Sequence, residues 1–217
     1  MSETYSTFGV IAGTPQDTKM GVDFIRKKGF EAVGVPAASS PEEQNMLQFL
    51  KPEILTRKVI AIIGDFQKQN IKNVMIYCNS LSATIDLELI RQECSAANIL
   101  TPLQAYRNLA SRYRKLMVWA ANGMCLKTIE KILYENNPAI QIIGISMLPV
   151  INAIESLERP EDIVYKFNLT GLVKSFNPEG LVLGCTHLPY LKEKLEGNLS
   201  IPVIDPAEEM LKDVAFG

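Results

Sequence analysis

Histidine occurs once in this chain, at His187, and its four cysteines, at positions 78, 94, 125 and 185, show no CxxC spacing. A zinc site needs clustered thiolate and imidazole ligands, and a small secreted scaffold needs a denser cysteine framework. Neither is expected, and the thiols are read as reduced. Charge of one sign is also lacking: 22 Lys+Arg stand against 24 Asp+Glu, and the longest basic run is Arg26-Lys27-Lys28. That balance excludes an extended surface for nucleic acid or anionic membrane and leaves a small molecule as the expected partner. Long apolar runs are missing as well. Val59-Ile60-Ala61-Ile62-Ile63 is far shorter than the roughly 20 residues that span a bilayer. Met1-Ser2-Glu3-Thr4-Tyr5 lacks the charged-then-apolar layout of a signal peptide, so the expected location is the cytoplasm. Loops of the GxxxxGK[ST] or GxGxxG type that cradle phosphates do not occur, and no metal, PLP or nucleotide cofactor is expected.

The chain holds apolar residues enough for real cores, at 47% of 217, and its length accommodates two α/β domains of about 100 residues each. Phe8 to Ala12 reads as a short buried strand, followed by a helix from Asp17 to Lys28 with Gly29 as its stop. After a strand at Ala32 to Val35, Ser40-Pro41-Glu42-Glu43 combines an N-cap serine, proline at the first helical position and a capping-box glutamate. Pro52 separates that helix from a second one over Glu53 to Lys68. A strand ending at Cys78 precedes a helix expected over Leu81 to Ala97, and Thr101-Pro102 with Gln104 marks the crossover into the second half. Strands are expected there at Leu116 to Ala121, Ile140 to Ile145, Leu181 to Gly184 and Val203-Ile204. Regular β-α alternation with runs such as Ile140-Gln141-Ile142-Ile143 argues for parallel sheets covered on both faces. The fold class is therefore α/β, with two similar doubly wound parallel-sheet domains over residues 1–100 and 101–204. Residues 205–217 are a candidate completion of the first.

The two halves echo each other. Asn73 to Leu81 and Gly180 to Leu188 both read as a buried strand ending in cysteine, two polar residues and a leucine, and Cys78 and Cys185 are 107 residues apart. Gly9 to Thr14 and Met117 to Asn122 repeat a strand-then-polar-turn pattern 108 residues apart. A diverged tandem duplication explains both spacings. Halves related by a pseudo-twofold, with the site in the cleft between them, would bring the two thiols to one ligand from opposite sides. That arrangement suits moving a proton between the two faces of a carbon. In open parallel sheets ligands bind beyond the carboxyl ends of strands, where helix N-termini favour anions. Four such ends stand out: Gly13-Thr14-Pro15, Cys78-Asn79-Ser80, Ala121-Asn122-Gly123 and Cys185-Thr186-His187. Asn79, Ser80 and Thr186 offer neutral donors to a carboxylate, and a thiol becomes a usable base once such surroundings stabilise its thiolate.

The Cys78-Asn79-Ser80 triplet and the Gly184-Cys185-Thr186-His187-Leu188-Pro189 segment resemble the paired signatures of the cofactor-independent aspartate/glutamate racemase superfamily. The resemblance covers nearly the whole chain, through Gly9 to Gly13, Val203-Ile204-Asp205 and the half-length spacing. It implies PLP-independent proton transfer at the α-carbon of an acidic amino acid, with Cys78 acting on the D-enantiomer and Cys185 on the L-enantiomer. Glutamate racemases carry an aspartate-serine pair after the first strand, whereas this chain has Ala12-Gly13-Thr14. Their proline-tyrosine-glycine segment is Pro36-Ala37-Ala38 here.

Taken singly, a cysteine at the end of a buried strand is more often a small core residue than a catalyst. Paired placement reverses that for Cys78 and Cys185, while Cys94 and Cys125 keep the structural reading. His187, two residues after Cys185, is read as polarising substrate or thiol. Gly13, Thr14, Asn79, Ser80, Asn122 and Thr186 are the expected substrate-binding positions, and capping of the following helices is compatible with that role. Asp17 and Asp205 divide evenly between helix capping and support of the site. Glutamate and aspartate both remain open as substrates, and a homodimer is one assembly the reading allows. Three other readings stay in view: a dicarboxylate isomerase of the maleate isomerase type, in which one cysteine adds covalently, a non-catalytic dicarboxylate-binding protein, and a hydrolase using Cys185 with His187. The last is disfavoured, because residues two apart on a turn rarely have productive base geometry and Cys78 would have no part in it.

Overall fold

A computed structural model describes residues 7–39, 43, 46 and 50–212. The chain divides between Pro102 and Leu103 into two units, each built on a four-stranded sheet in which every pairing is parallel. Among the described residues no helix is long and apolar enough to cross a membrane.

In the first unit the wholly buried strand β1 (Phe8–Ala12) leads into helix α1 (Pro15–Lys27), with Thr14 as its N-cap and proline in the first turn. Asp17 in the first turn and Arg26 and Lys27 in the last complement the helix dipole. Gly29 follows at φ 88°, the left-handed geometry that suits a helix stop. Strand β2 (Ala32–Pro36) comes next. The helix start read at Ser40-Pro41-Glu42-Glu43 lies outside the described residues, apart from Glu43, whose carboxylate accepts the Ser39 backbone N–H at 2.7 Å. Helix α2 (Pro52–Lys68) covers β1 closely. A Cβ on Gly9 would lie 2.4 Å from the Phe66 ring, so this approach requires glycine. Strand β3 (Asn73–Ile76) then pairs with β1.

The helix expected over Leu81 to Ala97 is instead two short helices. Helix α3 (Asn79–Thr84) stops at extended Ile85, and Asp86 opens α4 (Leu87–Glu93) by accepting the Leu89 N–H at 3.0 Å. The Asp86 N–H donates to Thr56 Oγ1 on α2 at 2.9 Å, which holds the break in place. Asn98–Leu100 forms the fourth strand, β4, pairing with β3. The Asn98 side-chain N–H donates to Asn73 Oδ1 at 3.2 Å at its start.

The second unit repeats the plan. Helix α5 (Pro102–Arg112) leads to β5 (Lys115–Ala120) and α6 (Gly123–Asn136), then β6 (Gln141–Ser146). Three helices follow, α7 (Leu148–Glu155), α8 (Pro160–Lys166) and α9 (Leu169–Phe176), before β7 (Gly180–Gly184). A 3₁₀ turn (Leu188–Leu191), α10 (Lys192–Glu196), β8 (Val203–Ile204) and α11 (Pro206–Lys212) complete it. Residues 205–217 were a candidate completion of the first unit, yet the described part packs in the second. Met210 and Leu211 are buried, and Glu209 pairs with Arg112 of α5 at 2.7 Å.

Strand alternation explains the layers. Met117 and Trp119 of β5 and Leu181 and Leu183 of β7 pack with Val150, Ile154 and Ile163. Leu116, Val118 and Val182 point the other way, toward Tyr106, Leu109 and Ile129. With both faces covered, these strands can be apolar at nearly every position, and each fully buried aliphatic side chain contributes about 1.5–3 kcal/mol.

The strand orders are β2-β1-β3-β4 and β6-β5-β7-β8, the same order in both units, as a duplication requires. In each, the chain runs from the first strand outward to the second and then returns to the other side. The strand order therefore reverses between β1 and β3, and between β5 and β7, and the carboxyl ends of those pairs are where open α/β sheets bind ligands.

Candidate active site

At the reversal point of the first unit, the ladder between β1 and β3 is extended by the Tyr77 N–H, which donates to the Ile11 carbonyl at 2.7 Å. The chain leaving β1 at Gly13 and the chain leaving β3 at Cys78 thus emerge side by side. Cys78 occupies the N-cap of α3 and is buried with Asn79, while Ser80 is partly exposed. Thr14 is buried, and its Oγ1 accepts the Asp17 N–H at 3.1 Å. Asp17, fully buried, in turn accepts the Gly13 N–H through Oδ2 at 3.2 Å. This carboxylate holds the loop after β1, while Thr14 is the N-cap of α1.

At the corresponding point of the second unit, Asn122 follows β5 and caps α6 by accepting the Cys125 N–H at 2.9 Å. Cys185, Thr186 and His187 follow β7, all buried. The Leu188 N–H donates to the Cys185 carbonyl at 3.0 Å, and this tight turn folds His187 back so that its Nδ1 lies 3.5 Å from Cys185 Sγ. The expectation that residues two apart on a turn would not meet productively is corrected here: the turn is what makes them meet.

A residue that sequence reasoning missed completes the arrangement. Glu155, the last residue of α7, stands with Oε1 2.5 Å from His187 Nε2. The hydrogen bond from His187 is the main influence on the Glu155 carboxyl and holds it below its ordinary range, against the opposing effect of burial. An ionised Glu155 receives a proton-bearing Nε2, which leaves Nδ1 to exchange a proton with the thiol. One signal for it existed in the sequence. Glu155 is the sole charged residue of a helix that is apolar apart from it and Asn152, Leu148-Pro149-Val150-Ile151-Asn152-Ala153-Ile154-Glu155.

The remaining cysteines do not follow a sheet strand as Cys78 and Cys185 do. Cys94 ends α4, and burial pushes its thiol up. Cys125, on α6, places its sulfur 3.8 Å from the Gly184 carbonyl oxygen. Among the described residues no three His, Cys, Asp or Glu side chains gather as a metal site.

This geometry can be set beside known proteins. No protein-family model matches the chain. A glutamate racemase of Fusobacterium nucleatum is 28% identical over 159 residues, which are 70% of this chain and 58% of that protein. The glutamate racemase of Francisella tularensis, solved with D-glutamate, matches 98% of this chain and 81% of its own with a TM-score of 0.70 at 18% identity. The aspartate racemase of Picrophilus torridus matches 97% and 94% with a TM-score of 0.68 at 15% identity.

The chain is similar to glutamate racemases over about two thirds of its length, and its fold is that of the solved glutamate and aspartate racemases.

It spans less than two thirds of the length of the curated relative it matches. The two similar sheets of this chain match the fold of those solved structures.

Proposed function

We propose that this protein is a cofactor-independent racemase that interconverts the enantiomers of an acidic amino acid, glutamate or aspartate, with Cys78 and Cys185 as its two acid–base groups. The observation that carries this reading is the placement of one cysteine at the reversal point of each sheet, in matching positions of two units of identical strand order. In the L-to-D direction the Cys185 thiolate removes the α-proton and becomes a thiol, and the electron pair passes into the substrate carboxylate as an enediolate. The Cys78 thiol then delivers its proton to the opposite face of the α-carbon and is left as a thiolate. The reverse reaction exchanges the roles. His187, oriented by Glu155, accepts the Cys185 proton that must leave before the next abstraction. Asn79, Ser80, Thr186 and Asn122, with Gly13 and Thr14, supply donors for the substrate carboxylates. The substrate is a small-molecule acidic amino acid, and the reaction needs no added cofactor.

A second reading draws support from the Cys185–His187–Glu155 line, which also suits a thiol nucleophile. In that reading the protein isomerises a dicarboxylate by covalent addition of one cysteine. Incubation with L- and D-glutamate and L- and D-aspartate in D2O separates the two. Racemisation with deuterium at the α-carbon, read by chiral chromatography and NMR, is the expected result. Inertness toward all four amino acids, together with a covalent maleate adduct in the intact mass, would overturn the racemase reading.

A further inference from the structure

The thiol after β7 sits on a tight turn between a parallel strand and a helical segment. A Cβ on Gly184 would lie 2.8 Å from the Trp119 carbonyl oxygen, so the chain leaves the sheet through a position that has no room for a side chain. Cys185 follows. The Leu188 N–H closes the turn on the Cys185 carbonyl at 3.0 Å, and the 3₁₀ turn Leu188–Leu191 and α10 continue from it. This is the placement in which a strand-to-helix elbow holds a nucleophile.

Cys185 Sγ lies 3.5 Å from His187 Nδ1, and His187 Nε2 lies 2.5 Å from Glu155 Oε1. Sulfur, imidazole and carboxylate therefore stand in the order nucleophile, base and orienting group that defines a catalytic triad. Cys185 and His187 are buried, which strengthens the contact between them. The Thr186 N–H, the first after the sulfur-bearing residue, lies in the turn beyond the last ladder pair, Ala120 with Gly184. From that place a backbone N–H stabilises a carbonyl oxygen as it gains charge. All of these groups belong to the second unit.

In the two-thiol reading this sulfur only gives and takes a proton. We infer that Cys185, His187 and Glu155 also form an acyl-transfer triad, which hydrolyses small activated esters through a thioester on Cys185. The sulfur attacks the ester carbonyl carbon as its proton passes to His187 Nδ1, a C–S bond forms, and the carbonyl electron pair moves onto oxygen. Return of that pair breaks the C–O bond, and the alcohol leaves with the proton from His187. Water then attacks the thioester while His187 takes its proton, the C–S bond breaks, and the sulfur recovers that proton as the acid departs. Cys185 and His187 are the catalytic residues. Glu155 is a positioning residue that acts through His187.

The test is rapid mixing of the native protein with p-nitrophenyl acetate at neutral pH, followed by intact-mass and peptide mass spectrometry, with folding checked by circular dichroism. A burst of about one nitrophenolate per chain is expected, followed by slower turnover, with the acetyl group mapped to Cys185. Cys185→Ala should abolish the burst, and His187→Gln should slow it about a hundredfold. Glu155→Gln should slow it with the half-saturating ester concentration unchanged, a split that general loosening of the fold would not give. Cys78→Ala should lose racemisation yet keep the burst, since the triad lies in one unit. Absence of a burst in the folded native protein overturns the inference without recourse to any variant. So does acetylation of other residues with none at Cys185, or a folded His187→Gln protein that acylates at the native rate. Racemisation without a burst removes this inference alone, whereas a burst at Cys185 in a protein that racemises nothing leaves it standing and removes the racemase reading.

Discussion

His187 Nε2 and Glu155 Oε1 stand 2.5 Å apart, joining the turn after β7 to the end of α7 across 32 residues of sequence. That contact fixes which imidazole nitrogen faces Glu155 and leaves the other, 3.5 Å from sulfur, facing Cys185. A histidine of undirected tautomer becomes a directed acid–base group.

Glu155→Gln keeps the side-chain volume and removes the charge. On the racemase reading we expect kcat to fall by about ten- to a hundredfold with KM nearly unchanged, measured by chiral chromatography. A matching stability experiment follows from the direction of the Glu155 shift. A carboxyl held below its unfolded value adds stability above that value and loses it as pH falls through its folded value. The Tm gap between the native protein and Glu155→Gln should therefore be widest near neutrality and close in acid. A gap that widened in acid would contradict the assignment.

The two thiols should fail differently. Cys78→Ala and Cys185→Ala should each abolish racemisation in both directions. Cys78→Ala should still exchange the α-proton of the L-substrate for deuterium with retention, and Cys185→Ala should do so with the D-substrate. Proton NMR in D2O measures both. Equal residual racemisation in the two variants would mean that one thiol, or neither, carries the chemistry.

Gly184→Ala should be costly. Its Cβ would meet the Trp119 carbonyl oxygen at 2.8 Å, and a strand backbone cannot move aside as a flexible side chain can. We expect a loss of about 1–3 kcal/mol in urea unfolding, with slowed alkylation of Cys185 as the strand end shifts.

Asp86→Ala removes the acceptor for the Leu89 N–H and should destabilise the first unit by about 1 kcal/mol. Asp86→Asn, which keeps a capping oxygen, should restore most of that. Urea denaturation of the three proteins decides it.

Cys94→Ala is the control for the thiol assignments. Cys94 is buried at the end of α4, away from both strand ends. Racemisation should stay within a small factor of the native rate, and stability should fall by roughly 1 kcal/mol. Loss of activity in a folded Cys94→Ala protein would overturn the placement of the site.

What the sequence determined by itself is whatever short-range chemistry controls. Apolar runs bounded by polar turns located β1, β7 and β8, because a strand buried on both faces must be apolar throughout. The echo between the two halves put Cys78 and Cys185 at corresponding strand ends, and they follow β3 and β7. The tertiary structure decided what depends on contacts between distant residues. The expected helix at Leu81–Ala97 breaks where Asp86 is tied to Thr56 on another helix, a contact that overrides a local helical pattern. Asn98–Leu100, for which no strand was expected, pairs with the edge that β3 offers. Glu155 carried only a weak signal in the sequence, as the one charged residue of its helix, and the packing of α7 against the turn after β7 is what brings its carboxylate to His187.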